Sequence, residues 1–184
     1  MSRHLATVKL ATTVLGLCLG LPAAMASLVR ALDLAELTRS AEQVVVADVV
    51  SVKAAWDSAH RNIYTTIDIT VQESWKGTPP GDGRLTIRQP GGVVGDIEMT
   101  VLGMPSFSVG ERALLFLRDS HVCGMAQGKR RLRWEDSARR WLVDGADRSA
   151  SVTIDARGKL QAARPDRSED LDSLRDRVRS LVGK

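Results

Sequence analysis

The stretch Asn62–Trp75, "NIYTTIDITVQESW", alternates from Ile63 to Gln72. Ile63, Thr65, Ile67, Ile69 and Val71 fall on one side; Tyr64, Thr66, Asp68, Thr70 and Gln72 fall on the other. A period of two with one apolar side is the pattern of a half-buried strand. The stretch before it, Gln43–Trp56 "QVVVADVVSVKAAW", is rich in β-branched residues and apolar on both faces in its first part. That pattern fits a strand buried on both sides. "DSAHRN" (57–62) reads as the loop between the two, and "KGTPPGDG" (76–83) as a turn set by its prolines and glycines.

More strands are predicted downstream. "RLTIRQ" (84–89) is a third and "ERALLFLR" (111–118) a buried one. "HVCGMAQGKRRLRW" (121–134) and "RRWLVDG" (139–145) read as a hairpin over "EDSA", and "SVTIDARGKLQA" (151–162) as a last hairpin. Many short strands at close spacing predict a mainly β fold, a small antiparallel OB-like barrel. A helix is predicted at each end. In "SLVRALDLAELTRSA" (27–41), Leu28, Leu32, Ala35 and Leu37 line one face. In "RSEDLDSLRDRVRSLVGK" (167–184), Leu171, Leu174, Val178 and Leu181 form a stripe, with Ser168 as the expected cap.

The first residues read as an export signal. Arg3, His4 and Lys9 precede the uncharged run Leu10–Leu21, and Ala24 and Ala26 supply small residues for cleavage between Ala26 and Ser27. The run is short for a membrane span. The expected organisation is a signal peptide at 1–26, a β-barrel domain with its leading helix at 27–163, and an amphipathic helix at 164–184. The chain is therefore expected to be secreted or periplasmic, with no transmembrane segment after cleavage. Of the two cysteines, Cys18 leaves with the leader, so Cys123 has no partner for an internal disulfide. Arg3 and Lys9 also leave, and against 22 acidic residues the mature chain is only mildly basic, which gives no reason to expect nucleic acid.

The order of these elements resembles netrin-like modules, OB-fold-like barrels that include tissue inhibitors of metalloproteinases. The resemblance rests on "LAELTRSAEQVVVADVVSV", "NIYTTIDITVQESWKG" and "GERALLFL", across Leu32 to Leu117. The chain also resembles uncharacterised secreted bacterial proteins with the order W-K-G, GG, G-x-P-x-F-x-x-G-E. It departs from the inhibitors at one place. They act through an N-terminal Cys-x-Cys segment that chelates the protease metal, and the expected mature start here, "SLVRALD", has no cysteine. The resemblance implies a fold and carries no inhibitory residue.

The glycine-rich stretch Arg88–Leu117, "RQPGGVVGDIEMTVLGMPSFSVGERALLFL", is not a nucleotide cradle. It lacks the lysine and hydroxyl of a phosphate loop, and its glycines lack dinucleotide spacing. Bends and close backbone approach are the expected reasons for its glycines. Asp96, Glu98, Glu111, His121 and Cys123 are metal-ligand types, but their spacing matches no metal motif, and no cofactor is expected. Cys123 with His121 is the candidate thiol pair; burial as a small apolar residue is the competing reading. "GKRRLRWEDSARRW" gathers arginines around Trp134 and Trp141 and reads as a surface for an anionic partner; a solvated hairpin with both tryptophans turned inward is the competing reading.

The expected function is that of an exported, non-catalytic binding module contacting a protein or an anionic envelope polymer. Asp96, Glu98, Arg130, Arg131, Arg133 and Trp134 are its candidate contacts. The alternatives are an extracytoplasmic hydrolase or thiol enzyme using Cys123 and His121, and a structural envelope component.

Overall fold

Gln43–Trp56 and Ile63–Lys76 form a long antiparallel pair from which the remaining sheet grows in both directions. The computed structural model describes residues 29–146, 151–154, 159–162 and 167–183. In chain order the elements are β1 (Val29–Arg30), α1 (Leu34–Ser40), β2 (Gln43–Trp56), β3 (Ile63–Lys76), β4 (Arg84–Pro90), β5 (Gly92–Val94), β6 (Ile97–Met99), β7 (Arg112–Arg118), β8 (His121–Val122), a 3-10 turn (Met125–Gly128), β9 (Lys129–Glu135), β10 (Arg140–Val143), β11 (Ser151–Ile154), β12 (Leu160–Ala162), β13 (Glu169–Asp170) and α2 (Leu171–Val182). The main sheet has eight strands in the order β13-β10-β9-β7-β2-β3-β4, with β8 also on β7, and every pairing in it is antiparallel. β5 and β6 form a separate hairpin, and β11 pairs with β12 and, in parallel, with β1.

The two-sided apolar character of β2 has a direct structural cause. Val44 and Val46 point to one face with Leu114, Phe116, Leu132 and Trp75, and there α1 and α2 cover them through Leu37, Leu171, Leu174 and Val178. Val45, Ala47 and Val49 point to the other face with Ile67, Ile69, Ile87, Ala113 and Leu115. Neither described helix contributes to this second cluster; Phe107, from the loop before β7, helps to cover it. Three register shifts interrupt the β2–β3 ladder, two with the extra residue in β3 (Trp75 and Gln72) and one with it in β2 (Val50), as bulges do.

The closed barrel expected from the sequence does not form, and the sheet stays open between β4 and β8. Among the described residues one backbone hydrogen bond, from Arg88 N–H to Ser120 O at 3.1 Å, crosses that gap. β8 is two residues long and runs into Gly124 and the 3-10 turn, so it offers no strand along the rest of β4.

The helices also differ from expectation at their starts. α1 begins at Leu34 because Asp33 and Glu36 form a reciprocal capping box, at 2.7 and 2.9 Å, while Val29–Arg30 pairs with β11 instead of continuing the helix. α2 is capped by Asp170 rather than Ser168: its carboxylate accepts from the N–H groups of Asp172 and Ser173. Ser168 bonds to Asp144 instead. The apolar stripe of α2 lies in the core, and Arg175 grips Glu73 with two nitrogens, at 2.6 and 2.8 Å. No described helix is long and apolar enough to cross a membrane.

Candidate binding surface

The motif residues of the central stretch act as fasteners of the fold. In Trp75-Lys76-Gly77, the Trp75 ring is core. The Lys76 ammonium donates to Thr38 O at 2.7 Å and Ala41 O at 2.6 Å, neutralising the carbonyl end of α1. Gly77 has φ +73°, and a Cβ there would stand 2.5 Å from Glu42 O. At Gly92 a Cβ would meet Thr65 Oγ1 at 2.5 Å and Ala54 Cβ at 2.8 Å, so β5 lies against the β2–β3 pair only because side-chain bulk is missing.

The G-x-P-x-F-x-x-G-E run is tied down at each of its marked positions. Gly103 O accepts from Ala126 N–H, Pro105 O from the Gln89 amide, and Gly110 N–H donates to Val49 O. Phe107 packs on the second core cluster beneath the Lys129 ammonium, which lies 4.6 Å from its ring. Lys129 also donates to Ser106 O. Glu111, one of the metal-ligand types in the sequence, pairs instead with Lys129 at 2.6 Å, both side chains being more than nine-tenths buried. The Lys129 ammonium and the Glu111 carboxylate attract one another both as a close donor and acceptor and as opposite charges. Burial holds the Lys129 ammonium below the usual lysine range, against the opposing pull of Glu111.

Two described hairpins carry the candidate contact residues that remain exposed. In β5–β6 the turn Val94-Gly95-Asp96-Ile97 puts Asp96 in solvent. Glu98 is exposed as well and accepts from Thr100 at 3.1 Å. Val93 and Ile97 are exposed on the same hairpin.

The β9–β10 hairpin is the second. β9 pairs with β7 only over Lys129–Arg131, so its remainder and the turn at 136–139 run past the start of β7. Strand alternation divides its side chains. Arg130, Leu132 and Trp134 share the helix side; Arg131 and Arg133 share the other. Arg130 is buried beside Glu169, at 3.3 Å, and is withdrawn from the surface. Arg131 lies 3.7 Å from Glu111, and Arg133 pairs with Asp144 at 3.2 Å. Trp134 is 46% exposed and meets Trp141 edge-on, with ring centres 5.5 Å apart. Behind Trp141 lies the Arg112 guanidinium, 5.0 Å from the ring and bonded by two nitrogens to Asp48 at 2.6 and 2.8 Å.

The run Trp134-Trp141-Arg112-Asp48 thus crosses from β10 to β2. The sequence marked Trp134 but gave no sign of Arg112 or Asp48, which reach the surface only through strand pairing. The structure does not bring Asp96 and Glu98 onto the β9–β10 hairpin; they lie on their own hairpin, β5–β6.

Cys123 is half-buried against the helix-side core, and desolvation raises its thiol above the ordinary value. His121 is exposed, its Nδ1 2.5 Å from Asp119 O. Among the described residues no three His, Cys, Asp or Glu side chains gather as metal ligands do. Ala26 and Ser27 lie outside the described residues.

The fold and site define an open antiparallel β-sheet protein with helices on one face and an aromatic hairpin at one end. No protein-family model, curated protein or solved structure matches this chain at a significant level.

Proposed function

We propose that the chain is an exported, non-catalytic binding module that engages a protein or an anionic envelope polymer through the tip of the β9–β10 hairpin. The observation that carries this reading is Trp134, held half-exposed past the start of β7 against Trp141, behind which stand Arg112 and Asp48. Trp and Arg in a fixed arrangement are the residues that dominate binding surfaces. Most of the neighbouring arginines have carboxylate partners, so the ring contributes more than net charge to the contact. The netrin-like reading enters as a module type: a β-sheet body with a leading helix that displays binding loops.

The thiol-enzyme alternative calls for a depressed cysteine, and burial moves Cys123 the other way. The test is retention on an immobilised envelope fraction. Wild type is retained, and Trp134→Ala and Arg133→Ala are retained less while keeping their circular dichroism spectra. Equal retention of all three proteins would overturn the proposal.

A further inference from the structure

We draw no further inference here: the strongest candidate, the pocket of about 360 Å³ at the start of α2 where Arg130, Arg167 and Arg177 meet, carries no ligand because Glu169 already pairs with Arg130 and Arg177 and nothing in the structure shows what covers the rest.

Discussion

Lys129 Nζ lies 2.6 Å from Glu111 Oε1, and each of the two side chains is only 8% exposed. The pair joins the start of β7 to the start of β9 and holds the Ser106–Phe107 loop over the second core cluster. Breaking a buried pair on one side strands a charge, so Glu111→Gln or Lys129→Met is expected to destabilise by about 3–5 kcal/mol. The double replacement Glu111→Leu with Lys129→Met is expected to recover much of that loss, because no charge is left behind. Urea unfolding of the four proteins measures the coupling. Additive losses would show that the pair does not act as a unit.

Lys76 and Gly77 fasten α1 to the end of β3 by different means. Lys76→Met removes two hydrogen bonds to helix carbonyls and is expected to destabilise by about 1–3 kcal/mol. Gly77→Ala places a Cβ against Glu42 O in left-handed backbone, and is expected to lose at least about 1–3 kcal/mol from conformation alone. Thermal unfolding followed by far-UV circular dichroism ranks them. Both variants should melt below wild type.

Stability toward acid should report on Asp48. The hydrogen bonds from Arg112 hold its carboxyl below the ordinary value near 3.8. A carboxylate with a depressed folded value binds fewer protons in the native state than in the unfolded one. Its contribution is therefore complete above pH 3.8 and is lost as pH falls through the lower folded value. Asp48→Asn should lose about 1 kcal/mol at neutral pH and show a flatter acid limb in urea midpoint against pH. An unchanged acid limb would place the dependence elsewhere.

Cys123 should react slowly with alkylating reagents. Desolvation is the largest influence on its thiol and raises it, so little thiolate forms at neutral pH. Iodoacetamide labelling should accelerate strongly in urea. Labelling at the rate of a free thiol in the native protein would show an activated cysteine and revive the thiol-enzyme alternative.

Much of the β architecture is legible in the sequence because its signals are local. The alternation of Ile63 to Gln72 and the two-sided apolar run of β2 are properties of single strands. The stripe Leu171, Leu174 and Val178 likewise identifies α2 and its buried face, and Arg131 and Arg133 fall together on β9 by simple alternation. Helix starts are less legible, because a cap is a competition among neighbouring polar residues. Asp33 and Asp170 win through carboxylates that reach the first free N–H groups, and Ser168 is drawn to Asp144 instead.

The sequence by itself determined most strand and helix types and the bends at the glycines. Only tertiary structure decided that Arg130 is buried on Glu169, that Glu111 serves Lys129 rather than a ligand, and that Arg112 and Asp48 stand behind Trp141. It also decided that the sheet stops short of closure beside Thr86. Each of these depends on which strands become neighbours, a choice set by the summed burial of both sheet faces. No single stretch of chain encodes that sum.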